Sequence, residues 1–128
     1  MKKGYLLFAI IIIAILSFSN VRLEKDCEEV KSDADNAYDY LQKAYNEEDL
    51  SDAQDYARNA MYAADDAESE AGDDDCDCND AAYEASTTYD YARKAYNADR
   101  LDDLHYYAHK GMNETDDITS AADDCEDE

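Results

Sequence analysis

Small and apolar residues recur at alternating spacings of three and four positions through two stretches of the chain. The positions are Leu50, Ala53, Ala57, Ala60, Ala64, Ala67 and Ala71 in the first stretch, and Leu101, Leu104, Ala108, Gly111, Thr115, Ile118 and Ala122 in the second. This spacing places the residues along one face of an α-helix. The stretches that precede them carry the same period, from Val30 to Ala44 and from Ala81 to Ala95. The pattern therefore predicts four amphipathic helices.

The four predicted helices belong to two copies of one unit. Residues 26–73 align without a gap with residues 77–124 at an offset of 51, and 20 of the 48 aligned positions are identical. The absence of proline agrees with long uninterrupted helices. Each copy is therefore predicted to be an αα-hairpin, and the pair to form an all-α, disulfide-stapled antiparallel four-helix bundle. A short solenoid of stacked helical hairpins is the alternative arrangement.

Short polar segments separate the two helices of each copy. Asn46 and Asn97 begin these segments, and asparagine can end a helix in the left-handed conformation. An aspartate or a serine in these segments can cap the next helix, and Ser51 and Gln54 also have the spacing of a capping box.

The N-terminus has the layout of a secretory signal peptide. Lys2 and Lys3 precede an apolar run over residues 5–18, which is too short to cross a bilayer comfortably. We predict that the signal is cleaved and that the protein is secreted or periplasmic; an uncleaved anchor is the alternative. The predicted boundaries are a signal peptide at 1–19, a linker at 20–26, a first repeat at 27–76, a second repeat at 77–125 that packs with the first as one domain, and an acidic tail at 126–128.

Four cysteines stand at the ends of the two copies. Cys27 and Cys76 frame the first copy, and Cys78 and Cys125 frame the second. An even number of cysteines in an exported chain indicates disulfide bonds. Because an antiparallel hairpin brings its own two ends together, the predicted pairs are Cys27 with Cys76 and Cys78 with Cys125. A metal-binding or redox role for Cys76 and Cys78 is the alternative.

The charge of the chain restricts its partners. Acidic residues number 34 and basic residues 11, which gives a formal net charge of −23. Such a field repels nucleic-acid phosphates and anionic lipid, and attracts cations or basic protein surfaces. We therefore predict no nucleic-acid partner, no membrane contact after signal cleavage, and a cationic protein or divalent cations as partners.

One acidic segment has the spacing of a calcium site. Asp73, Asp75, Asp77 and Glu84 match the carboxylate positions of a calcium-binding EF-hand loop. Cys78 stands where such a loop requires glycine. Calcium is thus the candidate cofactor, and the competing interpretation is a solvated acidic surface.

Two histidines could hold a transition metal by their spacing. His105 and His109 stand four positions apart on one predicted helix face. Their counterparts in the first copy are Gln54 and Arg58, which are ordinary polar surface residues. The duplication therefore does not favour a metal site at the histidines.

Tyrosine is the only aromatic residue type after the predicted signal peptide. Tyr40 and Tyr91 fall off the apolar stripe, beside Asp39 and Asp90. Tyrosine offers contact area and a hydrogen bond at a low entropic cost. These four residues are the predicted partner-binding positions.

The chain shows no nucleophile with an adjacent base, no phosphate-binding glycine loop and no cofactor motif, so we predict no enzymatic activity. The leading hypothesis is an exported acidic helical-repeat module that binds a cationic partner. The alternatives are a calcium-binding or buffering protein and a structural protein that assembles with itself at a surface.

Overall fold

The computed structural model describes residues 24–128 of the chain. The predicted signal peptide at residues 1–19 lies outside the described residues. Within them the chain forms α1 (Glu28–Asn46), α2 (Leu50–Gly72), α3 (Asn79–Tyr96) and α4 (Leu101–Glu126). None of these four helices is both long and apolar enough to span a membrane.

The four helices form a closed antiparallel ring. Each helix packs along the one that follows it in sequence, and α4 also packs along α1, whereas the diagonal pairs touch only sparsely. The α1–α4 contact closes the ring, which a solenoid of hairpins would leave open. The predicted four-helix bundle is thereby confirmed.

Alanine dominates the interior of the bundle. Of the 24 buried apolar residues in the described part of the chain, 17 are alanines. The largest fully buried side chains include Leu41, Leu104 and Ile118. At Gly111 a Cβ atom would lie 2.9 Å from Cδ1 of Leu41, so the missing side chain makes room for this leucine. The small residues of the predicted seam therefore let the helices approach closely.

All four cysteines are paired within the repeats. Cys27 bonds to Cys76 and Cys78 bonds to Cys125, across sequence separations of 49 and 47 residues. Closing a loop of this size contributes about 4 kcal/mol in the chain-entropy model. Because both Cys76 and Cys78 are committed to disulfides, neither is a free thiol for metal binding or redox exchange. Two disulfide bonds are compatible with an oxidising compartment.

The helix ends agree only in part with those predicted, since an aspartate caps α2 but the other predicted features differ. The N-cap of α2 is Asp49, whose carboxylate accepts a 3.0 Å hydrogen bond from the amide of Asp52. The capping box of Ser51 and Gln54 is wrong, because the helix begins before Ser51. The left-handed ends are also wrong, since Asp77 is the only described residue with a positive φ, at 46°.

The two copies are joined by a matched pair of hydrogen bonds. The side-chain amide of Gln54 on α2 donates to the carbonyl of Ala98 at 2.9 Å. Nε2 of His105 on α4 donates to the carbonyl of Glu47 at 2.8 Å. Gln54 and His105 are equivalent at the offset of 51, and so are Glu47 and Ala98. The second helix of each copy therefore fastens the loop of the other copy.

A cluster around Lys31 fastens the opposite end. Its ammonium lies 2.7 Å from a carboxylate oxygen of Asp123 and 2.6 Å from one of Glu126. The second carboxylate oxygen of Glu126 accepts the amide of Cys27 at 2.9 Å. The hydrogen bonds to Asp123 and Glu126 raise the pKa of Lys31. The hydrogen bond from the Lys31 ammonium, followed by that from the Cys27 amide, lowers the pKa of Glu126. We call Lys31, Asp123 and Glu126 the Lys31 latch; it holds the end of α4 to the start of α1.

The Lys31 latch includes one residue of the predicted acidic tail. Glu126 is the last residue of α4, and 24% of its side chain is exposed. The sequence pattern did not identify Lys31, because its counterpart in the second copy is Ala82.

Replacing His105 tests the bond between the copies. His105→Ala should lower the free energy of unfolding by about 1 kcal/mol, because the carbonyl of Glu47 loses its donor. His105→Gln should keep most of that stability, since glutamine already makes the equivalent bond at position 54. Urea unfolding followed by circular dichroism measures both. Equal losses for the two variants would show that the bond contributes nothing.

Replacing Lys31 tests the latch and its pH dependence. Lys31→Met should cost about 1–3 kcal/mol, because Glu126 keeps its partly buried charge without a cation. Lys43→Met is the control, since it removes the same charge from a lysine that has no carboxylate partner among residues 24–128 and lies over the ring of Tyr40 instead. Urea unfolding at a series of pH values gives the comparison.

The sign of the pH effect follows from the two pKa shifts. Because folding lowers the pKa of Glu126, its ionised carboxylate stabilises the fold at pH values above the unfolded-state pKa of about 4.3. This contribution is lost as the pH falls through the folded-state pKa. Because folding raises the pKa of Lys31, its ammonium stabilises the fold at pH values below the unfolded-state pKa of about 10.4. This contribution is lost as the pH rises through the folded-state pKa. The cost of Lys31→Met should therefore stay constant between about pH 5 and pH 10 and shrink outside this range. A cost that does not change in strong acid would contradict the latch.

Candidate functional site

Charge is distributed unevenly along the bundle axis. The half that contains the disulfides consists of residues 24–37, 62–87 and 114–128, and holds 24 acidic and 2 basic residues. The half that contains the two hairpin loops, residues 38–61 and 88–113, holds 10 acidic and 6 basic residues. We call these the acidic half and the loop half. The negative potential is thus concentrated at one end of the molecule.

The predicted calcium ligands do not meet in one place. Asp73, Asp75 and Asp77 are exposed in the turn between α2 and α3. The turn is compact, because the carbonyl of Asp73 accepts the amides of Cys76 and Asp77 at 3.2 and 2.7 Å. Glu84 instead lies inside α3, which begins at Asn79.

Glu84 belongs to another cluster of carboxylates. Its ligand oxygen and those of Glu114 and Asp117 on α4 all lie within 4.8 Å of one another. In residues 24–128 this is the only group of three or more acidic, histidine or cysteine side chains that are so close. Burial, and then the charges of Glu114 and Asp117, raise the pKa of Glu84. These three oxygen ligands are of the type that calcium takes.

The first copy carries the equivalent pair of acids. Asp33 on α1 corresponds to Glu84, and Asp66 on α2 corresponds to Asp117. Burial raises the pKa of Asp33, and the charge of Asp66 raises it further. A pair of facing carboxylates across the hairpin is therefore a shared property of the module. The alignment of the copies contains this signal, since all four positions are acidic.

The predicted partner-binding tyrosines are only half exposed. Tyr40 packs against the core of the loop half, while Asp39 and Asp90 are exposed. The ammonium of Lys43 lies 5.3 Å from the ring centre of Tyr40, and that of Lys94 lies 5.1 Å from the ring centre of Tyr91. The faces of these two rings thus already contact cations of the same chain.

Other tyrosines are more exposed than Tyr40 and Tyr91. They are Tyr45, Tyr62, Tyr83 and Tyr106, with 41%, 61%, 70% and 58% of their surface accessible. Tyr62 and Tyr83 lie in the acidic half. Periodicity did not separate them, because a helix has a wide boundary between its core-facing and solvent-facing sides.

The histidines do not form a metal site with a third ligand in the described residues. His105 donates to the carbonyl of Glu47, as above. The ring of Tyr45 lies 5.5 Å from the ring of His105 and 5.9 Å from that of His109. Both histidines therefore pack α4 against the end of α1.

A groove opens between α1 and α2 on the outer face of the first copy. Its cavity has a volume of about 270 Å³. The lining residues are Asp33, Asn36, Tyr40, Asn59, Tyr62, Ala63 and Asp66. We call this cavity the α1–α2 groove. It combines the facing carboxylates of Asp33 and Asp66 with amide and aromatic side chains.

Comparison with known proteins found no relative. The chain matches no protein-family model, and neither a curated protein nor a solved structure is significantly similar to it. The function proposed below is therefore supported by the geometry and charge of this chain.

Proposed function

We propose that this protein is an exported, non-enzymatic binding module that recognises a cationic partner through its acidic half. The observation that carries the proposal is the concentration of 24 acidic residues against 2 basic ones in that half. A concentrated field of one sign raises the association rate of an oppositely charged protein and selects against partners of like charge.

The rigidity of the acidic half supports the same function. Two disulfides and the Lys31 latch hold its helix ends together. A surface that is already ordered loses less conformational entropy when it binds. The exposed rings of Tyr62 and Tyr83 add contact area and hydroxyl groups to this surface. The predicted signal peptide and the disulfides support an oxidising compartment outside the cytoplasm.

Charge removal at matched positions tests the proposal. A labelled oligolysine peptide should bind at low salt and lose affinity at high salt, because the attraction between exposed charges is screened. The variant Asp74→Asn with Asp124→Asn should bind several-fold more weakly than the wild type, since both residues lie in the acidic half. The control Asp99→Asn with Asp103→Asn removes two charges from the loop half and should change the affinity little. Fluorescence anisotropy measures all three proteins.

Two outcomes would contradict the acidic half as the binding surface. One is an equal loss of affinity in the two double variants. The other is retention of the peptide that does not depend on salt concentration.

The second candidate function is calcium binding, favoured by the cluster of Glu84, Glu114 and Asp117. Calcium would relieve the repulsion among these carboxylates. Its test uses Glu84→Gln, with Asp116→Asn as a control that removes one exposed charge nearby on α4.

Relative to the wild type, Glu84→Gln should be more stable without calcium and should gain less stability when calcium is added. The folded state raises the pKa of Glu84, so its ionised form carries a penalty that is present at neutral pH and disappears as the pH falls through the folded value. Without calcium, Glu84→Gln should therefore melt at a higher temperature than the wild type. With calcium, the wild type should gain more stability than the variant. Calorimetry that gives the same calcium effect for wild type, Glu84→Gln and Asp116→Asn would exclude this cluster as the site.

A further inference from the structure

We propose that the α1–α2 groove binds the guanidinium group of an arginine side chain on the cationic partner. This inference rests on the proposed function and names the chemical group that the partner presents. It is carried by the combination of carboxylates, amides and an exposed ring in one cavity.

The two carboxylates of the groove supply the charge. Asp33 is half-buried and Asp66 is exposed, and both line the same cavity. Among residues 24–128 no lysine or arginine lines it, and the nearest recorded cation contact is that of the Lys43 ammonium, 5.3 Å from the ring centre of the lining residue Tyr40. The repulsion between Asp33 and Asp66 is a cost that the free protein carries and that a bound cation removes.

The amides of the groove favour a group with several donors. Asn36 on α1 and Asn59 on α2 line the cavity from its two sides. Each side-chain amide offers a carbonyl oxygen that accepts hydrogen bonds. A guanidinium presents five N–H donors in a planar fork, whereas an ammonium presents three donors from one point. The groove therefore suits arginine better than lysine.

The aromatic side chains supply a flat contact. Tyr62 lines the cavity with 61% of its surface accessible. Guanidinium groups stack on aromatic faces through cation–π attraction. Tyr40, which also lines the groove, and Tyr91 in the second copy already carry lysine ammonium groups over their rings. An arginine on Tyr62 would repeat a contact that the molecule makes with its own cations.

The second copy carries different side chains at two positions that line this groove in the first copy. Glu114 stands at the position of Ala63, and its carboxylate lies within 4.8 Å of those of Glu84 and Asp117. Ala63 instead lines the α1–α2 groove together with Asp33 and Asp66. Lys110 stands at the position of Asn59, and its ammonium lies 5.8 Å from the ring centre of Tyr106. The two copies therefore differ in side-chain size and charge at these positions.

The probe is the peptide acetyl-Gly-Arg-Gly-amide, titrated into the ¹⁵N-labelled protein at constant ionic strength. Amide shifts should concentrate on the groove residues, and the corresponding lysine peptide should bind more weakly. Asp66→Asn should weaken the binding of the arginine peptide about tenfold, because one charge-assisted hydrogen bond is lost. Asp65→Asn removes the same charge from the neighbouring exposed position outside the groove and should change the affinity less than about twofold.

Ala63→Glu separates the groove from general attraction. This substitution makes the protein more negative, so a purely electrostatic surface would bind the peptide more tightly. The groove model requires weaker binding, because the larger side chain would occupy part of the cavity that Ala63 lines. Asn59→Leu removes a lining amide without changing the net charge, so general attraction predicts unchanged affinity and the groove model predicts weaker binding; this variant decides the question if Ala63→Glu does not fold.

The outcomes distinguish the groove from the proposed function as a whole. Equal effects of Asp66→Asn and Asp65→Asn, tighter binding by Ala63→Glu, or equal affinity for the arginine and lysine peptides would overturn the groove as an arginine site. If oligolysine still requires the acidic half in that case, the proposed function stands without the groove. If both tests fail, the proposed function fails as well.

Discussion

The helices of this bundle meet through alanine, and that close approach is the constraint on which the rest of the structure depends. A methyl side chain keeps two helix backbones near each other and costs almost no conformational entropy on folding. It also buries little apolar area, so each contact contributes less than a leucine would. Only a few larger side chains, such as Leu41 and Leu104, fill the interior, and Gly111 is needed to admit Leu41. A core of this kind requires help at the helix ends.

The additional stabilising links lie in the half of the bundle that carries the most negative charge. Both disulfides and the Lys31 latch lie in the acidic half, where repulsion among carboxylates would otherwise separate the helix ends. The loop half has mixed charge and is joined by neutral hydrogen bonds from Gln54 and His105. The covalent links thus permit a density of like charge that the alanine core alone would hold poorly. A rigid, concentrated negative surface is the physical basis of the proposed binding function.

The two copies share one structural frame and differ at the position on which the proposed arginine site depends. Both copies keep the disulfide, the hydrogen bond to the loop of the other copy, the lysine over tyrosine and the pair of facing acids. The copies differ at one position near those acids, where the first copy has Ala63 and the second has Glu114. One substitution in a shared frame therefore separates a pair of facing carboxylates from a cluster of three.

The sequence by itself determined the four helices and the pairing of the cysteines. Helical period and internal repetition are local properties of a chain, and an antiparallel hairpin has only one way to bring its own ends together. The tertiary structure decided which acidic residues meet. Asp73, Asp75 and Asp77 look like one site with Glu84 along the chain, but helix α3 directs Glu84 to Glu114 and Asp117. It likewise decided that Lys31 reaches Glu126 and that Tyr62 and Tyr40 border one groove, with Tyr40 also packed on the core. Such contacts join residues that are far apart in sequence, and they depend on the rotation and spacing of packed helices, which a pattern along one helix does not specify.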